Sequence, residues 1–196
     1  MLQRYLETIK NELLSFLANL DRDNLKRAAD IIAAAKNTNN RLHFSGIGKP
    51  SYVAAYAASL CSSTGTPAYV LHGTEAVHGS AGQIVAGDVV VCISNSGETS
   101  ELLATAKAVL NNGGVIVAIT SNPNSSLARL AEVHLLAKVE KEGGPLNRAP
   151  RASVLAELIV VQALSILLQE QAELDLEGYL RRHPGGSLGQ TGDCDL

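Results

Sequence analysis

The sequence predicts an α/β domain whose parallel sheet is covered by helices on both faces. Three observations predict it. Short strand-like segments recur at 41–45, 68–71, 89–93, 115–119 and 133–139, the later ones apolar and rich in β-branched residues. Segments with helical spacing or helix-forming composition alternate with them. Turns rich in glycine, hydroxyl and amide residues follow the first and third runs.

Leu2, Tyr5, Leu6, Ile9, Leu13, Phe16 and Leu17 recur at helical spacing and predict an opening amphipathic helix. A second helix runs to about Lys36 with Asp23 as its cap. The stretch 37–40 is loop, and 41–45 is the first strand. Gly46-Ile-Gly-Lys-Pro50 leads into an Ala-rich helix ending near Ser62, with Pro50 in the first turn, where a missing N–H costs nothing. The second strand is 68–71, and 73–87 reads as irregular and polar. The third strand, 89–93, ends abruptly at Ser94, and its helix runs from Thr99 to Leu110, stopped by Gly113-Gly114. A fourth strand at 115–119, a short helix after Pro123 and a fifth strand at 133–139 follow. Residues 154–168 are apolar almost all round, interrupted by Glu157 and Gln162. At that length, short of the ~20 residues that span a bilayer, they read as a helix buried in the protein or between subunits.

The 196 residues suit one compact domain, and a net charge of −3 with no Trp and no basic block argues against nucleic acid as a partner. Cys61, Cys92 and Cys194 are unpaired by spacing and suit a reducing compartment. The N-terminus lacks a signal-peptide pattern.

Ser94-Asn-Ser-Gly-Glu-Thr99 joins a strand to a helix start. Unpaired N–H groups and the positive end of the helix favour an anion there, and the side chains of Ser94, Asn95, Ser96 and Thr99 add donors. One cap needs one such residue; four around one glycine read as a phosphate site. Glu101 then lies one turn further in. Gly46-Ile-Gly-Lys49 by itself is equally a turn, since neither a Walker loop nor a full dinucleotide fingerprint is present. His72 and His78 flank an acid after the second strand without the spacing of a zinc motif. Glu140-Lys-Glu142 is by composition a solvated turn. His183-Pro-Gly-Gly-Ser-Leu-Gly189 is a shaped loop whose glycines allow close backbone approach.

Taken together, Gly46-Ile-Gly-Lys49, Thr64-Gly-Thr-Pro67, Glu75-Ala-Val-His-Gly79, Ser94-Asn-Ser-Gly-Glu98, Lys141-Glu142 and the 183–189 loop resemble the sugar isomerase (SIS) domain of D-arabinose-5-phosphate isomerases. The resemblance extends over 41–189. Its serine-rich loop is shared by many SIS domains and speaks only for a phosphosugar; the elements around His78 and His183 are more specific. It implies interconversion of D-ribulose 5-phosphate and D-arabinose 5-phosphate through an enediol, supplying synthesis of 3-deoxy-D-manno-octulosonate (Kdo) for lipopolysaccharide or capsule. It implies a three-layer αβα sandwich with a five-stranded parallel sheet, a helical segment 1–40, and an α/β core with C-terminal helices over 41–190. A single-domain cytoplasmic member without CBS modules is implied, assembled as a homotetramer with sites shared between subunits. No cofactor, metal, nucleic acid or membrane is called for.

Carried over by motif, Lys49, His78, Glu101, Glu142 and His183 match the family's active-site residues, and Ser94, Asn95, Ser96 and Thr99 match its phosphate loop. Glu142 is expected to be the proton-transfer base and His183 a proton shuttle or ring opener. Lys49 would stabilise anionic charge, and Glu101 and His78 would orient hydroxyls. Pro50 replaces a serine common in the family, with Ser51 beside it as a substitute, and Ser80 replaces an aspartate. Arg151, within an altered Pro150-Arg-Ala-Ser-Val154 run, is either an extra anion contact or a helix-start residue. The competing readings are another SIS phosphosugar isomerase, such as a 6-phospho-3-hexuloisomerase, and a sugar-phosphate sensor without catalysis.

Overall fold

Successive strand residues point to opposite faces, and in the central strand, β3 (Val89–Ile93), all five are buried. Val89, Val91 and Ile93 enter one core; Val90 and Cys92 enter another. A strand apolar on both sides needs a cover on both sides. The computed structural model, which describes residues 1–185, shows both covers. Five parallel strands form one sheet in the order β2-β1-β3-β4-β5, with β1 (Leu42–Gly46), β2 (Ala68–Val70), β4 (Val115–Thr120) and β5 (Val133–Leu136) around β3. The register brings Gly46 beside Ile93, so β1 and β3 end together.

The first core joins the sheet to α1 (Leu2–Ala18), α2 (Arg22–Asn37), α3 (Lys49–Ser63) and α6 (Ala152–Gln171). The second joins it to α4 (Ser100–Asn111), α5 (Ser126–Leu130) and two 3-10 turns, Glu75–His78 and Ser80–Gln83. A short helix, α7 (Leu176–Arg182), follows α6. This is the three-layer arrangement expected. The apolar 154–168 stretch is the middle of α6, which is long and apolar enough to cross a membrane but packs here on α2 and α3 with half of its apolar window buried.

Several element boundaries differ from the sequence reading: β1 and β4 each run one residue further, to Gly46 and Thr120, β2 stops one residue earlier, at Val70, and three other differences have a clear cause. The cap of α2 is Asp21, not Asp23: its carboxylate accepts the Asn24 N–H at 3.0 Å, while Asp23 lies inside the first turn. A cap must reach the third helical N–H, which only Asp21 can do. The first strand starts at Leu42, because the Arg41 N–H is taken by Asp88 at 2.8 Å. The fifth ends at Leu136, since its partner β4 ends at Thr120.

Candidate functional site

With the order β2-β1-β3-β4-β5, the chain leaves β1 toward one edge and β3 toward the other. Ligands in such sheets bind at this switch point, beyond the carboxyl ends of the strands. The loops after β1 and β3 meet there.

After β1, the chain must turn tightly into α3. A Cβ on Gly46 would stand 2.7 Å from the Pro50 carbonyl carbon, so only glycine lets the first turn of α3 come this close. Gly48 follows at φ +66°, and Lys49 is the first residue of α3, exposed, with Pro50 next. The Ser51 hydroxyl donates back to the Gly48 carbonyl at 2.7 Å. Lys49 borders an open groove of about 470 Å³ between α3 and α6, lined by Tyr52, Tyr56, Val154 and Leu158.

The loop after β3 is braced from within. Ser94 is buried, and its Oγ accepts the Gly97 N–H at 3.1 Å and lies 3.2 Å from the Thr99 hydroxyl. Gly97, at φ +67°, packs directly under Ser125, where a side chain would collide. Thr99 is the N-cap of α4, yet its side chain makes no cap bond. Its hydroxyl faces Ser94 and so takes none of the first N–H groups of α4, the groups that draw an anion to a helix start. Asn95 Oδ1 is buried without a partner, and Ser96 is exposed. Glu98 turns away and accepts the Ser126 N–H at 2.7 Å, at the start of α5. Glu101 lies in the first turn of α4, exposed, and its own backbone N–H and the Ser100 hydroxyl hold it below the usual glutamate range.

The loop after β2 lies against these two. Gly73 packs on Ile47, and its carbonyl accepts the Thr105 hydroxyl of α4 at 2.5 Å. His72 Nδ1 lies 3.0 Å from the Thr74 hydroxyl, so this histidine organises the turn. His78 ends the Glu75–His78 turn, exposed, before Gly79 at φ +119°. Among the described residues no group of three His, Cys, Asp or Glu side chains could hold a metal.

Glu142 comes from the long loop after β5. Asn147 Oδ1 accepts the N–H groups of Glu142 at 2.7 Å and Gly143 at 3.2 Å, knotting the loop. Glu142 Oε2 then accepts the N–H of Arg151 at 2.6 Å and of Ser153 at 3.2 Å. It caps α6, and Arg151 stands at the start of that helix. Nothing in the composition of Glu140-Lys-Glu142 announces this capping.

Lys49, His78, Ser94, Asn95, Ser96, Thr99, Glu101 and Glu142 thus all stand at the carboxyl edge of the sheet. His183 does not join them within the chain. The 20 residues of α6 carry the backbone about 30 Å, to where Ala172 and Leu174 pack on Gly65 before β2, at the amino edge. His183 ends the short α7 beyond that point, its Nδ1 2.9 Å from the Tyr179 carbonyl and its ring stacked on Tyr179. The rest of its loop, Gly186-Ser-Leu-Gly189, and the tail with Cys194 lie outside the described residues. Sequence reasoning missed two further polar residues near Glu142. Ser153 and Glu157 are both buried in α6 without side-chain partners. Their spacing of four in an apolar helix was the available signal.

Among known proteins, a family model described as SIS domain matches residues 37–167. The arabinose 5-phosphate isomerase KdsD of Francisella tularensis is 38% identical over 91% of this chain and 55% of its own length. The chain spans about half the length of the curated relatives it matches. An Escherichia coli CFT073 protein solved in complex with arabinose 5-phosphate is 31% identical, with 93% of each chain covered and a TM-score of 0.78. A Listeria monocytogenes structure reaches a TM-score of 0.86 at 24% identity, covering 94% of this chain and 95% of its own, which speaks for the fold alone.

Proposed function

The chain belongs to the SIS domain family, and on that premise we propose that it is an aldose–ketose isomerase interconverting D-ribulose 5-phosphate and D-arabinose 5-phosphate. The observation that carries the reading is the braced Ser94–Thr99 turn, open to a phosphate at the switch point, with Lys49 and the capped carboxylate of Glu142 on the same edge. The KdsD relatives and the structural neighbour holding arabinose 5-phosphate support this choice among phosphosugars.

In this reading the sugar phosphate is held by the side chains of Ser94, Asn95, Ser96 and Thr99 and the first N–H groups of α4. Glu142 removes the C2 proton of the open-chain aldose. The electron pair forms the C1=C2 bond, and O1 gains a proton to give the enediol. Returning the carbon-bound proton to C1, with loss of the O2 proton, gives the ketose. Among the described residues it is Oε2 of Glu142 that caps α6, which leaves Oε1 to take the proton. Lys49 offsets negative charge developing on the enediol oxygens, while Glu101 and His78 orient hydroxyls. His183 relays protons between O1 and O2, or opens the ring, in the site of a second subunit. We read the chain as a single domain of a cytoplasmic homotetramer that supplies Kdo synthesis for lipopolysaccharide or capsule.

The test is an NMR assay of the purified protein with ribulose 5-phosphate against a panel of pentose and hexose phosphates. Conversion of ribulose 5-phosphate to arabinose 5-phosphate is expected. Binding without conversion of any sugar would replace the isomerase by a sensor.

A further inference from the structure

One buried carboxyl has no part in this mechanism. Glu157 lies in the second turn of α6, 1% exposed, and neither of its oxygens has a hydrogen-bond partner among the described residues. Burying an ionisable group without a partner is costly, and such groups are rare in folded proteins. One turn earlier, on the same face, Ser153 is fully buried and its hydroxyl is also unpartnered. The backbone N–H of that same Ser153 donates to Glu142 Oε2. Glu142 and Glu157 therefore flank one residue, the first at the mouth of the helix and the second inside it.

Burial pushes Glu157 up to about 7, and the negative charge of Glu142 adds to the push. Other elements packed on α6 bring few charges near. Lys49 of α3 lies along the groove beside Val154 and Leu158, and Tyr56 is bonded to Gln162. Thr64, the residue that ends α3, has its hydroxyl 3.2 Å from that of Ser165, well down the helix. From α1, Glu12 accepts the Glu140 N–H, and from α2, Asp30 is bonded to Gln171 at the far end of the helix. β4 carries no titratable side chain. Glu142 is the charge that reaches Glu157.

We propose that Glu157 is a positioning residue for Glu142: the two carboxyls form an acid pair across Ser153, through which Glu157 sets how readily Glu142 takes up the substrate proton. The proposal rests on Glu142 being the base of the isomerase. Two N–H donors fix Glu142 Oε2 at the start of α6. A negative charge on Glu157 behind it favours the arrival of a proton on Glu142, because like charges repel. Loss of the carbon-bound proton, from C2 of the aldose or C1 of the ketose, is the step this assists.

Two measurements test the pair. In substrate-free protein, carbon-13 NMR of the glutamate carboxyls follows Glu157 directly. Its titration at about 7 should vanish in Glu157→Gln and move to lower pH in Glu142→Gln, because a like charge is gone. An unmoved titration in Glu142→Gln overturns the pair. With ribulose 5-phosphate, wild-type kcat should rise through about pH 7 as Glu157 ionises. In Glu157→Gln that step should be absent and kcat lower by about tenfold, with KM within about twofold of wild type. Glu157→Met, similar in length and apolar, should show the same loss should the buried amide impair folding. A folded variant of either kind with wild-type kcat and an unaltered pH profile overturns the proposal in favour of packing. A wild-type protein that converts no sugar phosphate defeats the isomerase reading and the catalytic role with it, while the NMR titration still decides whether the carboxyls are coupled.

Discussion

Glu142 Oε2 accepts the Arg151 N–H at 2.6 Å, so the carboxylate assigned to proton transfer also starts the longest helix of the fold. A capping carboxylate satisfies donors that the helix cannot satisfy itself and sits at the favourable end of its dipole. Structure and chemistry therefore load the same side chain, and substitutions can separate them.

Glu142→Ala leaves the N–H groups of Arg151 and Ser153 without their acceptor and should cost about 1 kcal/mol of stability. Glu142→Gln keeps an acceptor oxygen there and should retain most of that stability. Neither should turn over substrate. Urea unfolding beside the isomerase assay checks both statements; near-normal turnover by Glu142→Gln would remove it from the role of base.

Glu157 makes stability depend on pH in an unusual direction. Its folded value of about 7 lies above the ordinary 4.5, so the folded protein holds the proton more tightly than the unfolded chain. That contribution is complete below about pH 4.5 and is lost as pH rises to about 7. The full loss is on the order of 3 kcal/mol. Glu157→Met has no charge to bury, so its stability relative to wild type should increase across that window and level off above it. Unfolding free energies at a series of pH values show the trend; a constant difference would mean that Glu157 is not buried as an acid.

Thr99 can be changed at the cost of its 3.2 Å contact with Ser94, since its hydroxyl caps nothing. Thr99→Val should raise KM for a sugar phosphate about tenfold to a hundredfold through loss of a hydrogen bond to a charged group. Its kcat and melting temperature should stay close to wild type. An unchanged KM would place the phosphate elsewhere.

Gly46→Ala tests the other loop. The new Cβ would meet backbone atoms of Pro50 at 2.7 and 2.8 Å, and backbone cannot swing aside as a flexible side chain can. The first turn of α3 must shift, at about 2 kcal/mol, and Lys49 moves with it. Lower stability together with lower kcat is expected, measured by thermal unfolding and the isomerase assay.

What could be read in advance followed from local chemistry. The run at 89–93 and the hydroxyl cluster behind it announced β3 and its loop, because a buried parallel strand and an anion-binding turn have opposite compositions. Asp21 and Asp23 could not be told apart as caps, since both are acids near one helix start and only reach distinguishes them. Glu98 belongs to the serine-rich motif yet binds the next helix, a long-range partner no motif reveals. Glu157 interrupts an apolar segment, and only its burial distinguishes it from a solvent-facing polar residue such as Gln162. The position of His183 depends on the length of α6 and on where α7 follows it, neither of which a His-Pro motif encodes.

That position leads to a complementation experiment. Within one chain, α6 keeps His183 apart from Lys49, which opens α3 at the other end of the molecule. If His183 serves a neighbour's site, Lys49→Ala and His183→Ala are inactive for reasons that lie in different subunits. Unfolding and refolding an equal mixture should create mixed assemblies in which some sites receive an intact Lys49 from one chain and an intact His183 from another. Random pairing across a two-chain site predicts recovery of about a quarter of wild-type activity. Each variant refolded alone should recover none. A mixture as inactive as its parts would deny that His183 crosses to a second subunit, and the loop carrying it would then have to reach the carboxyl edge of its own chain to take part at all.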